Sequence, residues 1–241
     1  MITISITEYN ERKTRETLAK LAADIYADIY SLLGCETSDV TSYYAKDCLE
    51  ELKKLSAILI PQNGGKLEEA YAAGDYFHIV LNEAKEATRR VIINTNDQQT
   101  SLKIVNKILD NPVLKDSLMS MKFFAKAPGS PKERLKYDKV VLYFHETGEP
   151  NIGKVFDTMN PGDTSGEISA FYDLWTQEEN GKALNYIGAG IEIDPDVSFT
   201  EQREQEILGY MRYFIKEKCS IDEFVNGCYD YVTECIQEKT K

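Results

Sequence analysis

The stretch Met121–His145 concentrates basic side chains in a chain whose formal net charge is −12. It begins as an apolar strand, Phe123–Ala125, which is followed by Lys126 and a Pro-Gly-Ser-Pro loop, and it ends as a second strand, Val140–His145. Between the strands lie four basic residues: Lys132, Arg134, Lys136 and Lys139. These cations either form a solvated hairpin loop or bind an anion. In so acidic a chain, we favour anion binding.

Lys126 stands directly after the first strand and is the candidate general base. A lysine accepts a proton only when burial or neighbouring cations lower its pKa, and Arg134 and Lys136 would supply such cations. Tyr143 and His145 are two residues apart on the second strand, so they project from the same face of the sheet. Together these side chains predict an anion pocket. A solvated lysine at a strand end is the competing interpretation of Lys126.

Two histidines are present, His78 and His145, and both fall on predicted strands. A packed, hydrogen-bonded side chain is the competing interpretation of each. Without an H-x-x-x-H or H-E-x-x-H spacing, they predict no metal site. The chain also lacks the G-x-S-x-G, Walker and Rossmann glycine patterns, which leaves lysine-based chemistry. Arg203 is a further candidate for the anion, because the N-terminus of a helix favours negative charge.

The composition is that of a soluble globular protein, with 42% hydrophobic and 28% charged residues in 241. The negative net charge argues against nucleic acid as a partner and against a polybasic membrane anchor. Five cysteines without a C-x-x-C spacing fit free thiols better than a disulfide framework. No apolar signal segment or membrane-spanning run is seen, so we expect a cytoplasmic protein, with secretion as an effector left open.

Hydrophobic periodicity predicts a single α+β domain, with a helical part over residues 1–65 and a catalytic part over residues 66–241. The helical part contains a pair of helices, residues 12–33 and 42–59. The second part is predicted to form a mixed or antiparallel central sheet with helices after it. Its predicted strands are residues 76–81, 90–94, 123–125, 140–145 and 184–193. Its predicted helices are residues 99–109, 151–159, 169–176, 199–218 (capped by Ser198 or Thr200) and 220–237.

Three segments carry spaced motifs. The first is R-V-I-I-N-T, Arg90–Thr95. The second, in the basic stretch, consists of Phe123, Lys126, Pro131, Lys136, Asp138 and Val141-Leu142-Tyr143. The third consists of Gly190, Pro195, Ser198, Phe199 and Arg203. Together with the L-A-x-x-I-Y-x-x-I-Y pattern of the first helix, these segments resemble, in order and over most of the chain, the Hop-A type III effector family and its stand-alone relatives in ribosomal-peptide gene clusters.

Relatives in this family are phosphoserine and phosphothreonine lyases of class V lanthipeptide and thioamitide maturation, and they work beside a separate kinase. The resemblance therefore implies a lyase that eliminates phosphate from a precursor peptide after a partner kinase has acted. The family is more distantly similar to phosphothreonine lyase effectors, whose catalytic histidine lies in an F-H-I strand like Phe77-His78-Ile79. In those lyases a lysine precedes this motif, where this chain has Tyr76.

The resemblance also implies a role for each candidate residue. Lys126 would remove the α-proton, with Lys122 as its rival, and His78 would protonate the leaving phosphate, with His145 as the rival acid. The phosphate would be held by Lys136, Arg134, Tyr143 and Arg203. No metal and no cofactor would take part. The alternative function is a non-catalytic protein, either an effector-like binding protein or a scaffold for the kinase or the peptide.

Overall fold

The computed structural model describes residues 8–35, 69–73, 76–82, 87, 89–95, 98–112, 118–124, 136–144, 168–176, 183–191 and 197–238. Its helices are α1 (Glu8–Ala23), α2 (Ile29–Gly34), α3 (Gln98–Asp110), α4 (Phe199–Glu217) and α5 (Ile221–Glu238). Its strands are β1 (Glu69–Ala73), β2 (Tyr76–Val80), β3 (Arg89–Ile93), β4 (Leu118–Phe124), β5 (Val140–Phe144), β6 (Asp173–Thr176) and β7 (Ala183–Ile191).

The seven described strands form one sheet in the order β1-β2-β4-β5-β3-β7-β6. Every neighbouring pair is antiparallel. Helices from the two ends of the chain accompany this sheet, so the predicted α+β class with N-terminal and C-terminal helices is confirmed. Of the two sheet types predicted, mixed or antiparallel, the antiparallel one is found.

One face of the sheet is apolar at its centre. Phe77 and Ile79 of β2 stand opposite Phe123 and Met121 of β4, and all four side chains are buried. Strands β5 and β3 continue this face with four buried residues: Val140, Leu142, Val91 and Ile93. Because side chains alternate along a strand, the residues between these project from the opposite face, which carries the candidate site.

The opposite face meets side chains from outside the sheet near β3 and β5. Ile92 and Val141 are buried there in a cluster with three such residues: Ile168, Tyr172 and Phe199. Gly190 of β7 stands opposite Arg90 on this face. A Cβ atom at Gly190 would lie 2.9 Å from the Phe199 ring and 3.1 Å from the Tyr172 ring, so the bare backbone makes room for both rings.

The helices share a core of their own. Helices α1, α2, α4 and α5 contribute the following buried side chains: Leu18, Leu21, Ile29, Leu33, Ile207, Met211, Phe224, Cys228 and Val232. The end of α2 then ties this layer to the segment before β5. Cys35 forms a β-bridge with Lys136, and the N–H of Tyr137 donates to the carbonyl of Gly34 at 3.0 Å. The predicted anion-binding residue Lys136 is thereby held beside α2.

Both C-terminal helices begin at side-chain caps. The hydroxyl of Ser198 accepts from the N–H of Glu201 at 3.3 Å, so Ser198 rather than Thr200 caps α4. Before α5, the carboxylate of Glu223 accepts from the N–H of Ser220 at 2.7 Å, and the N–H of Glu223 donates to the Ser220 hydroxyl at 3.3 Å. These reciprocal bonds form a capping box, for which Ser220 and Glu223 have the required spacing of three residues.

The helix predicted over residues 12–33 is in fact two helices, α1 and α2. Between them, the carboxylate of Asp24 accepts from the N–H of Tyr26 at 3.1 Å, and that of Asp28 accepts from the N–H of Ser31 at 3.2 Å. Aspartate side chains that bond the backbone in this way favour turns and caps over continued helix. The apolar period carries on across the break, which is why the pattern alone predicts one helix.

The helix predicted over residues 169–176 is wrong, because residues 173–176 form β6 and pair with β7. Phe171 has a φ of 64°, in the left-handed region, so no helix continues through it. The hydroxyl of Ser169 also donates to the carbonyl of Leu33, which ties this turn to α2. Long-range pairing of this kind overrides the local pattern.

The other described elements agree closely with the predictions. The strands near residues 76–81, 90–94, 140–145 and 184–193 and the helices near residues 99–109, 199–218 and 220–237 are all confirmed. Strand β4 begins at Leu118 instead of Phe123. The predicted helices over residues 42–59 and 151–159 lie outside the described residues. In the part of the chain that the structure describes, no helix is long and apolar enough to cross a membrane.

Candidate anion-binding site

An imidazole and an ammonium group face each other across two central strands. His78 on β2 is the register partner of Lys122 on β4, so their side chains leave the same face of the sheet. Both residues are half-buried, whereas their neighbours Phe77 and Phe123 project to the apolar face and are buried. The pleat of two adjacent strands therefore brings together a proton-transfer group and a cation.

Tyr76 supports this pair from the same face. Its ring centroid lies 4.5 Å from Nζ of Lys122, within the range of a cation–π contact. The same ring lies 6.5 Å from the His78 ring in an edge-on arrangement. The hydroxyl of Tyr76 donates to a carboxylate oxygen of Asp138 at 2.7 Å. Tyr76 thus contacts both members of the pair and is itself fixed by an acid from the segment before β5.

Arg90 and Tyr143 extend the same face across the next two strands. They are register partners on β3 and β5, and Arg90 donates to the Tyr143 hydroxyl at 3.0 Å and to the Tyr172 hydroxyl at 3.3 Å. Nζ of Lys122 lies 5.9 Å from the Tyr143 ring. Five residues on strands β2, β4, β5 and β3 therefore form one continuous polar surface, the cation–tyrosine row: Tyr76, His78, Lys122, Tyr143 and Arg90.

The members of the row differ in how accessible they are. Arg90 is only 2% exposed, and its guanidinium carbon lies 5.1 Å from the Tyr143 ring and 5.5 Å from the Phe199 ring. Tyr143 is half-buried, and because its oxygen accepts from Arg90, its own O–H proton can be donated outward. Arg90 thus holds a tyrosine that can meet a ligand, while the imidazole of His78 and the ammonium of Lys122 are more accessible than the Arg90 guanidinium.

The electrostatics of the row keep His78 neutral and Tyr76 protonated. Burial, and secondly the charge of Lys122, lower the pKa of His78 below its usual value of 6.5. Burial and the negative charge of Asp138 raise the pKa of Tyr76 well above its usual range. Within the row, the accessible positive charge therefore resides on Lys122.

The structure brings Lys136 next to the row and places Arg203 behind it. Nζ of Lys136 lies 4.5 Å from the ring of Tyr30, and Tyr30 is close enough to Tyr76 to contribute to its raised pKa. Arg203 is 1% exposed, and its guanidinium lies 3.0 Å from the Glu206 carboxylate and against the Phe199 ring. In this position Arg203 is not exposed to a ligand, and it packs against the Phe199 ring that also contacts Arg90.

Three predicted site residues, Lys126, Arg134 and His145, lie outside the described residues. Of the others, His78 and Tyr143 are in the row. Sequence reasoning left Lys122 without a settled role and did not include Tyr76, Asp138 or Arg90 among the site residues. The available signal was alternation, because Y-F-H places Tyr76 and His78, and M-K-F places Lys122, on the face opposite to a buried phenylalanine. The register between strands is also needed to show that these side chains lie next to one another.

Metal ligation has no candidate in the described part of the chain. No group of three or more histidine, cysteine, aspartate or glutamate side chains among those residues could hold a metal ion. The four described cysteines are free thiols: Cys35, Cys219, Cys228 and Cys235. Burial raises the pKa of Cys228 to about 12, so that thiol is inert packing material at neutral pH.

The fold places this chain among α+β proteins in which an antiparallel sheet is accompanied by helices from both chain ends. The effector protein from Pseudomonas syringae pv. syringae strain 61 has a similar solved structure, with a TM-score of 0.55 and 13% sequence identity over 93% of this chain and 94% of that chain. At such an identity the similarity concerns the fold alone, and it agrees with an effector-like fold. No protein-family model and no curated protein matches the sequence.

Proposed function

We propose that this protein is a phosphoserine/phosphothreonine lyase that acts on a ribosomally made precursor peptide after a partner kinase has phosphorylated it. The observation that carries the proposal is the pairing of His78 with Lys122 on an accessible sheet face, beside the hydroxyl of Tyr143. A cation, an imidazole and a hydroxyl donor are the groups that bind a phosphate and protonate it as it leaves.

The reaction is a β-elimination. A base removes the proton from Cα, the electron pair of that C–H bond forms the Cα=Cβ double bond, and the Cβ–O bond breaks with its electrons on the phosphate oxygen. An acid protonates the departing phosphate. The products are a dehydroamino acid and inorganic phosphate, so nothing is oxidised or reduced and neither water nor a cofactor is consumed.

The contacts favour phosphate binding as the role of Lys122. Its ammonium lies against the rings of Tyr76 and Tyr143, which accept it as a cation. Lys126 is then the proposed base, with Arg134 and Lys136 as further phosphate ligands. His78 is the proposed acid. A phosphate monoester carries close to two negative charges at neutral pH, so its binding offsets the charge of Lys122 and lets His78 take up the proton that it later donates.

The second candidate function is an effector-like protein that binds a partner without catalysis. The fold similarity to the Pseudomonas syringae effector favours it. In that case the row binds a phosphorylated or otherwise anionic group and releases it unchanged. A scaffold that presents the phosphorylated peptide to another enzyme belongs to the same class.

The deciding experiment incubates the protein with a phosphothreonine peptide and follows the peptide mass. We expect loss of the mass of phosphoric acid and formation of dehydrobutyrine. Lys126→Ala and His78→Gln should each lower kcat by about 100-fold or more, as loss of a general base or acid does. Lys122→Met should mainly raise KM. Lys216→Met, at an exposed position of α4, is the matched control and should retain full activity.

The outcomes separate the candidate functions. Binding of the phosphopeptide without any mass loss, with the cognate kinase present, would favour the binding protein over the lyase. If Lys126→Ala turns over as fast as the unchanged protein while Lys122→Met is inactive, the two lysines have exchanged roles. If all three variants remain active, the row is not the reacting centre.

A further inference from the structure

The Tyr76–Asp138 hydrogen bond crosses from the edge half of the sheet to the segment that precedes β5. Its length is 2.7 Å, and Tyr76 is half-buried. The ring of Tyr76 also packs against Phe124, with centroids 5.4 Å apart. The phenol is therefore fixed at both ends, by an apolar contact on its ring and by a carboxylate on its hydroxyl.

Fixing this ring has a consequence for Lys122. A lysine side chain has four rotatable bonds and on a half-exposed strand position explores many rotamers, which costs free energy to restrict. Its Nζ nevertheless lies 4.5 Å from the Tyr76 centroid, and Lys122 is the register partner of His78. A phenol that donates to a carboxylate is polarised toward that acceptor, so its ring is more electron-rich and attracts a cation more strongly.

We propose that Tyr76 and Asp138 are positioning residues, which form a platform that holds the Lys122 ammonium beside His78. This inference rests on the proposed function, because it assigns the geometry of the same site. It adds two residues to which the reaction itself gives no role. The platform sets how strongly Lys122 acts on the imidazole, and it orients the ammonium for the phosphate before substrate arrives.

The groups around His78 make this effect measurable. On its own strand it faces Tyr76, on β4 it faces Lys122, and its register partner on β1 is Tyr71. Lys122 is the charge among them that opposes protonation of His78. Besides burial, the distance between the ammonium and the imidazole therefore contributes to the proton affinity of His78, and releasing the lysine from its platform should raise that affinity.

The test is a titration of His78 by NMR in the folded full chain without substrate. The chain has two histidines, so a His145→Gln variant assigns the signals. Lys122→Met should raise the His78 pKa by on the order of half a unit, as expected when a unit charge about one strand away in solvated surroundings is removed. Tyr76→Phe, which keeps the ring but loses the bond to Asp138, should produce a smaller rise in the same direction.

A double-mutant cycle separates the platform from a direct effect of Tyr76 on burial. In the Lys122→Met background, Tyr76→Phe should leave the His78 pKa unchanged, since the cation on which the platform acts is gone. Equal shifts in both backgrounds would overturn the proposal, as would no shift from Tyr76→Phe in the presence of Lys122. Asp138→Asn provides a second variant, for which the platform predicts that its effect differs between the two backgrounds.

One further control keeps the result specific. Tyr213→Phe on α4, where the tyrosine is 55% exposed, should leave the His78 titration unchanged. Because no substrate is present, the titration can support or overturn the platform whether or not the protein turns over a phosphopeptide. Failure of the lyase assay and failure of the platform are therefore separate results.

Discussion

His78 is the residue whose charge state the site controls most directly. Its burial and the nearby ammonium of Lys122 both disfavour the imidazolium form. A phosphate bound against Lys122 would remove the second of these penalties, since its negative charge neutralises the cation. In the proposed lyase, proton uptake by His78 would then be coupled to substrate binding, and the acid would be available only when a leaving group is present to receive the proton.

The lowered pKa of His78 predicts a pH-dependent contribution to stability. The unfolded chain has the ordinary histidine pKa of about 6.5, so as pH falls below that value it binds a proton that the folded state does not yet bind. The free energy of unfolding should therefore fall as pH drops from about 6.5 toward the lowered folded-state pKa of His78. The contribution of neutral His78 is fully present above that range.

Urea unfolding at a series of pH values, compared between the protein and a His78→Gln variant, measures this effect. The variant should lose the part of the pH slope that lies just below the ordinary histidine pKa. Lys103→Gln on α3 is the matched control, because it changes an exposed residue that is not a member of the row. A slope that is identical in the protein and in His78→Gln would contradict the lowered pKa.

At the level of residues, a member of the site can be predicted from the sequence when it belongs to a local motif. It is missed when only the register between strands brings it into the site. His78 and Tyr143 stand out within F-H-I and V-L-Y, and the structure places both in the row. Lys122 acquires its position from the pairing of β2 with β4, and Asp138 from a bond that spans 62 residues. No local spacing encodes such contacts, because a shift of one residue in the pairing would reverse every face.

At the level of elements, two glycines leave the surface of β7 without side chains where other parts of the chain pack against the sheet. Gly188 and Gly190 of β7 lie on the face that receives Tyr172 and Phe199. Those two rings stack with their centroids 4.2 Å apart, and both belong to the layer that supports Arg90. The bare strand therefore allows the aromatic contact that holds the buried end of the row in place.

Gly188→Ala should destabilise the protein. Its Cβ would come within 2.7 Å of the Ile168 side chain and 2.9 Å of Cβ of Tyr172, which a packed core relieves only by shifting both elements. Overpacking of this kind costs about 1–3 kcal/mol. We expect that loss in the free energy of unfolding, measured by urea denaturation.

Gly209→Ala is the matched control for this substitution. Gly209 lies within α4, is exposed, and has no heavy atom within 4 Å of a Cβ placed there. Alanine should stabilise the helix at that position by up to about 1 kcal/mol. We expect changes of opposite sign in the free energy of unfolding for the two substitutions. If Gly188→Ala left that free energy unchanged, the packing of Ile168 and Tyr172 against β7 would be loose.

The difference between local and long-range contacts also decides which elements could be predicted from the sequence. Strands β2, β3 and β5 and helices α4 and α5 have clear periodicity and local caps, so their positions follow from nearby residues. The break between α1 and α2 depends on two aspartates that accept bonds from the backbone within an unbroken apolar period. Strand β6 depends on pairing with β7, and no local pattern in its four residues specifies that pairing.

On the scale of the whole molecule, a local cationic surface lies within a strongly acidic protein. The formal net charge is −12, whereas two half-buried lysines among the described residues, Lys122 and Lys136, lie in or next to the row. The long-range field therefore repels an anionic ligand, and the short-range contacts attract its phosphate. Such an arrangement selects ligands that combine a phosphate with positive charge elsewhere, which a precursor peptide with a basic leader would provide.

Phosphothreonine peptides with basic flanking residues should therefore bind more tightly than peptides of equal length with acidic flanks. At low ionic strength we expect a difference in Kd on the order of tenfold, because complementary net charge acts over several ångströms. At about 1 M salt, where the screening length is about 3 Å, most of that difference should disappear.

Calorimetry or fluorescence anisotropy with the Lys126→Ala variant would measure both affinities without turnover, and unphosphorylated peptides of the same sequences are the control. Equal affinities at low salt, or a difference that salt leaves intact, would mean that the acidic surface does not select the ligand and that discrimination arises at the row itself.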